Sequence, residues 1–131
     1  MQFNTHSPIY LQIAGYIHDL ILNGIWTDGE RIPSVRDLAV ELEVNPNTIV
    51  RTYAVLQEEG TLDNQRGIGY FTAPHAKDLV LKKKREQFIK TELPSLFSSL
   101  KVLDIPLEEL ETYYRTFQKD AQSNENKDET K

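Results

Sequence analysis

The chain has 131 residues, no cysteine and a net charge of -5, which allows one ordinary domain with an appendage but not two full-sized domains. Without cysteine there is no disulfide, thiolate metal site or cysteine nucleophile, as suits a reducing cytoplasm. No positive segment followed by an apolar run opens the sequence, and no stretch approaches the roughly 18 apolar residues of a membrane span, so a soluble, unprocessed protein is expected.

After a polar start, Pro8 leads into IYLQIAGYIHDLILNG. Ile9, Ile13, Ile17, Leu20 and Ile21 recur at helical spacing and Gly24 offers a stop, which predicts a first amphipathic helix. In IWTDGERI, Asp28-Gly29 signals a turn between Trp26 and Ile32, a short extended connection in which Trp26 plugs the core. Pro33-Ser34 opens a second helix, with Ser34 as N-cap and Asp37 completing a variant capping box. Val35, Leu38 and Leu42 form its apolar face, with Ala39 close by. Only Glu43, Val44 and Asn45 then separate it from the next helix. That is helix-turn-helix spacing, with Val44 as the buried turn residue.

The third helix is predicted from Pro46 to Glu59, with Asn45 as N-cap, Pro46 at the first helical position and Gly60 as the stop. At about 100° per residue, Ile49, Val50, Tyr53 and Leu56 fall on one side. Asn47, Arg51, Val55 and Glu58 fall opposite, with Thr48 beside them. An amide, a hydroxyl and a guanidinium near a helix N-terminus can read base edges or hold phosphates in a major groove. Taken alone, the same face also suits an ordinary solvated helix. After Gly60, TLDNQRGIGYFT reads as two short strands packed through Leu62, Tyr70 and Phe71, with Gly67 and Gly69 permitting a tight tip. Three helices and this hairpin make a winged helix, with Arg66 placed to reach a phosphate or a narrow minor groove.

Ala73-Pro74-His75-Ala76 reads as a hinge. Beyond it Leu79, Leu81, Phe88, Ile89, Leu93, Leu96, Phe97 and Leu100 belong to a long helical pattern that Pro94 should kink or break. Asp104-Ile105-Pro106 is the next break. A last helix presents Leu107, Leu110, Tyr113, Tyr114 and Phe117. About 50 residues cannot bury this much apolar surface by themselves, and a second copy of the chain is the simplest cover. The segment from Ser123 to Lys131 has no large apolar residue and is expected to be disordered. The expected organisation is therefore mainly α: a winged helix-turn-helix DNA-binding domain at residues 1–73, a small all-helical dimerisation unit at 74–122 and a tail at 123–131.

Charge is the awkward feature. Residues 1–73 hold four arginines, no lysine and nine acids, the wrong sign for a nonspecific nucleic-acid binder. Binding must rest on Arg36, Arg51 and Arg66, expected on one surface with Arg31 outside it, and should have modest affinity and a steep salt response. Lys82, Lys83, Lys84 and Arg85 form the one basic cluster, which suits either DNA flanks or a solvated helix face. An enzyme is disfavoured: His6, His18 and His75 lie on unrelated elements, no metal-ligand spacing is present, and Gly67-Ile68-Gly69 lies in a hairpin rather than between strand and helix. No catalytic, metal or cofactor residue is therefore assigned. The alternative to DNA binding is a winged helix that binds protein, which the negative charge favours. Asn47, Thr48 and Arg51 oppose it, and Val55 suits either an apolar partner or a thymine methyl.

The string GIWTDGERIPSVRDLA from Gly24 to Ala39, continuing through VNPNTIVRTYAVLQEEG to RGIGYF and preceded by PIYLQIAGYI, closely resembles the N-terminal domain of the GntR family of bacterial transcription regulators. The resemblance covers residues 8–73 without interruption. It implies a winged-helix DNA binder joined to a C-terminal part that dimerises and often senses a metabolite. The short helical C-terminal part is similar to the YtrA subfamily, in which it is a small dimerisation unit; the larger effector domains and the aminotransferase-like domain of the MocR type have no room. The resemblance assigns DNA contact to Ser34 and Arg36 at the second helix, to Asn45, Asn47, Thr48 and Arg51 at the third, and to Arg66 and Gly67 at the wing tip. Thr52, Thr61 and Thr72 depart from the family pattern in ways that bear on packing, and Pro46 replaces an arginine that contacts DNA in some subfamilies. The implied partners are double-stranded DNA and a second copy of the chain. Repression is the usual outcome in the family, and any small-molecule control would act through the spacing of two recognition helices.

Overall fold

The computed structural model describes residues 1–129, with side chains as far as Glu125. It is mainly helical and divides into two compact units, Met1–Glu86 and Gln87–Lys131.

In the first unit, helix α1 (Ile9–Leu22) buries Ile13, Ala14, Ile17 and Ile21, while Ile9 at its first turn stays exposed. Gly24, at φ +74°, turns the chain out of the helix in the left-handed region that glycine enters without strain. Helix α2 (Val35–Leu42) starts as its sequence requires: the Ser34 hydroxyl oxygen accepts from the Asp37 amide at 3.1 Å. Helix α3 (Pro46–Glu58) follows after Glu43, Val44 and Asn45, and packs on α1, on α2 and on the first strand of the wing.

The inner face of α3 organises the core. Ile49, Tyr53 and Leu56 are fully buried. The Tyr53 ring lies tilted against Tyr70 with centroids 4.8 Å apart, and its hydroxyl donates to the Pro33 carbonyl at 2.7 Å. Burial, with Tyr70 and Glu41 nearby, pushes the Tyr53 phenol far above its usual range and keeps it a donor. Val50, assigned by helical spacing to this inner face, is instead half exposed, and fully buried Thr52 takes its place. The inner stripe is centred on Ile49, Tyr53 and Leu56, and Val50 lies at its outer edge. Thr52 is tolerated inside because its hydroxyl donates to the carbonyls of Tyr10 (3.0 Å) and Thr48 (2.9 Å). Thr61 and Thr72 are buried too, and the Thr72 hydroxyl donates to the Thr27 carbonyl. These departures from the family pattern are packing positions with satisfied hydroxyls.

The wing is an antiparallel pair, β1 (Leu62–Gln65) and β2 (Gly69–Thr72), in the register Leu62 with Thr72 to Gln65 with Gly69. Arg31 adds a bridge to Phe71 on the other side of β2. Trp26 packs against the core as expected.

Helix α4 (Ala76–Gln87) begins within the first unit. Ala76 and Val80 are buried, and the Lys77 amide donates to Asp28 Oδ1 at 3.1 Å. By packing, the first unit therefore runs beyond the boundary at residue 73 drawn from the sequence. Pro94 does not break the helical path. A π-helical turn at Phe88–Glu92 precedes it and leads into α5 (Leu93–Val102). The wider turn absorbs the hydrogen bond and the space that proline denies a regular helix.

The second unit consists of that π turn, α5 and α6 (Leu107–Glu129). Helix α6 continues through Ser123 to Glu129, into the segment read as a disordered tail, where no proline or glycine stops it; Thr130 and Lys131 lie outside the described residues. None of the unit's described residues is buried. Phe88, Ile89, Phe97, Leu107, Tyr113, Tyr114 and Phe117 are all exposed, Phe117 by 68%.

Replacing Tyr53 with Phe should lower stability by about 1–2 kcal/mol, because the Pro33 carbonyl loses its donor while the ring packing remains. Urea unfolding should show an earlier midpoint at unchanged slope. An unchanged midpoint would show that water replaces the hydroxyl at no cost.

Candidate nucleic-acid interface

The turn between α2 and α3 fixes how α3 is presented. Glu43 caps α2 in the left-handed conformation (φ 57°, ψ 46°), the Val44 amide donates back to Ala39 O at 3.0 Å, and the Val44 side chain packs against the core. Asn45 is extended, and its carboxamide oxygen accepts from the Asn47 amide at 2.8 Å. That oxygen is committed to the cap, so the side-chain amide nitrogen is what Asn45 can offer a ligand.

Pro46, Asn47, Val50, Arg51, Ala54, Gln57 and Glu58 are the exposed positions of α3 before its C-cap, with Thr48 and Val55 half-buried. Asn45, Asn47, Thr48 and Arg51 come together with Pro8, Ile9 and Tyr10 along one open groove of about 360 Å³. Ser34 and Arg36 sit at the start of α2, both exposed, with the Ser34 oxygen engaged as the cap. Arg66 and Gly67 form the wing tip, both exposed, with Gly67 at φ +78°.

Two features escaped the sequence. Arg31, outside the expected contact set, braces the wing: its Nη2 donates to the Ile68 carbonyl at 2.7 Å. A side chain at Gly69 would meet that guanidinium, with Arg31 Nε 3.1 Å from the added carbon and the backbone at φ +145°. Tyr10 is the other, with the guanidinium carbon of Arg51 4.1 Å from its ring centroid. Neither has a local signal, since a residue on one element meets a partner 37 or 41 positions away.

Within the basic cluster, Lys83 is engaged by the protein itself. Its ammonium pairs with Glu59 at the end of α3, whose other carboxylate oxygen lies 2.9 Å from Nε2 of buried His18 on α1. Burial pushes the Glu59 carboxyl up, but the hydrogen bonds from Lys83 and His18 outweigh it and hold the group below the usual carboxylate range. One of the four clustered cations therefore ties α4 to α1 and α3.

The outward residues of α3 carry donors and acceptors on a rigid support, in the order helix, short turn, helix, wing. The family model for bacterial regulatory proteins of the gntR family matches residues 9–71. The HTH-type transcriptional repressor YtrA of Bacillus subtilis (strain 168) is 32% identical over 124 residues, which covers 95% of each chain. The chain belongs to the GntR family. This GntR-family chain is also similar to the crystal structure of a GntR-family regulator from Bacteroides thetaiotaomicron, at 45% identity and a TM-score of 0.73 over 86% of this chain and 99% of that one. The DNA-binding domain of AraR, solved in complex with operator ORX1, is similar at 26% identity and a TM-score of 0.51, over 56% of this chain and 93% of that one. The protein is a DNA-binding transcriptional regulator of winged helix-turn-helix type. Among the described residues no helix is long and apolar enough to cross a membrane.

A carboxylate held below its unfolded pKa stabilises the fold above that value, near 4.3, and the contribution is lost as the pH falls through the lowered folded value. Glu59→Gln should therefore cost about 1 kcal/mol at neutral pH, and the gap to the parent should close below about pH 4. Chemical denaturation across pH tests this, and a pH-independent gap would contradict it.

Proposed function

We propose that this chain is a cytoplasmic, homodimeric repressor that binds a short inverted repeat in double-stranded DNA. Ser34, Arg36, Asn45, Asn47, Thr48, Arg51, Arg66 and Gly67 serve as the contacts. The observation that carries this reading is the exposed polar stripe on the first half of α3, clamped from behind by a buried face. A helix seated in this way can enter a major groove without rearranging its support. The AraR–operator complex supports duplex DNA as the partner, and the named role of YtrA supports repression.

Dimerisation is supported by the second unit, where Phe88, Phe97, Leu107, Tyr113 and Phe117 are all exposed. Apolar groups so concentrated need a cover, and a second copy supplies a self-complementary one. Two copies related by a twofold axis then require half-sites related in the same way. Small-molecule control would act by changing the spacing of the two recognition helices.

Selection from a random duplex pool is the test. The expected product is an inverted repeat with half-site centres about 34 Å apart, one helical turn, or a multiple of that. A single half-site would contradict the dimer, and no enrichment would contradict specific DNA binding.

A further inference from the structure

The exposed residues of α3 differ in what holds them. Arg51 stacks over Tyr10, in the first turn of α1, at 4.1 Å from the ring centroid. Tyr10 is itself anchored, because its carbonyl accepts the hydroxyl of fully buried Thr52 at 3.0 Å. The guanidinium therefore leans to the α1 flank of the helix and walls the groove with Asn45, Asn47 and Thr48. Val50 is different. It is 50% exposed near the middle of α3, its branched side chain is confined to essentially one rotamer in a helix, and exposed Ala54 one turn on is too small to cover it. Asn47, one turn earlier, is also exposed.

The geometry assigns base discrimination by α3 to Asn47 and Val50, and assigns Arg51, steadied by Tyr10, to a backbone phosphate. This rests on the proposed DNA-reading role of α3. A guanidinium that recognises guanine points both N–H groups straight at O6 and N7. Held over the Tyr10 ring at the α1 flank of the helix, the Arg51 guanidinium is placed instead for the phosphate backbone that borders the groove. The methyl groups of Val50 suit the C5 methyl of thymine, and the amide of Asn47 can pair with N6 and N7 of adenine. Tyr10 is thus a positioning residue that acts through Arg51.

The test uses the full-length chain, the duplex that a random pool yields, and a panel of single-base-pair variants of that duplex. Arg51→Ala is expected to weaken binding about tenfold and evenly across the panel, and to lower the slope of log K against log salt by about 1 per recognition helix. Tyr10→Leu is expected to weaken binding about two- to fivefold, also evenly. Tyr10→Phe, which keeps the ring face, should bind like the parent. In an Arg51→Ala background Tyr10→Leu should have no further effect. Val50→Ala should reduce discrimination at one base pair per half-site and leave the salt slope unchanged. Arg51 and Val50 are exposed, so their variants decide the question even where Tyr10→Leu lowers stability. Loss of discrimination at a single base pair in Arg51→Ala, or a Tyr10→Leu effect that persists without Arg51, would overturn the assignment while leaving specific binding intact. A parent chain that enriches no sequence would overturn the DNA-reading role itself.

Discussion

The hydrogen bond from Tyr53 to the Pro33 carbonyl, at the centre of a face that also buries Ile49 and Leu56, is the constraint on which the first unit depends. It joins α3 to the chain entering α2 just before Ser34 caps that helix. The same residue closes the wing against the core through Tyr70. A single buried phenol thus sets three elements relative to one another. The opposite face of α3 stays outside that core and can carry chemistry.

The negative charge of the winged helix becomes intelligible once its cations are placed. Arg31 serves the protein's own wing, and Lys83 serves Glu59. Arg36, Arg51 and Arg66 remain exposed, each on a different element of the helix-turn-helix and wing. Three placed guanidinium groups cannot create the broad attraction of a basic surface, so affinity must come from fit. Rigid presentation of α3 is accordingly worth more here than it would be on a basic domain.

Much of this was readable in the sequence because local rules wrote it. Ser34, Asn45 with Pro46, and Gly60 each mark a helix end through their own backbone chemistry, and the structure puts those ends where the residues say. The short turn and the hairpin tip were legible for the same reason. Misreadings arose where the deciding contact was distant in sequence. Val50 and Thr52 exchange places because α1 packs against the flank of α3 and offers the Tyr10 carbonyl to a hydroxyl, which periodicity alone does not reveal. Pro94 was read as a kink or a break; the regular α-helix is interrupted just before it by a π turn, and the helical path continues. Tyr10 beneath Arg51 and Arg31 behind the wing had no local signature at all.

The second unit follows the opposite logic from the first. Its helices leave their aromatic residues uncovered, whereas α3 hides every large aromatic it has. The first unit buries its own core, and the second is the one that the proposed dimer would cover. The claim on which everything rests is that α3 meets DNA through its first half and not its second. Amide chemical shifts of the labelled full-length chain, titrated with the selected duplex, address this directly. The largest changes should fall at Asn45 to Arg51 and at Arg66 to Ile68, with Val55 to Glu58 little moved. Changes confined to the end of α3, or to α5 and α6, would contradict it.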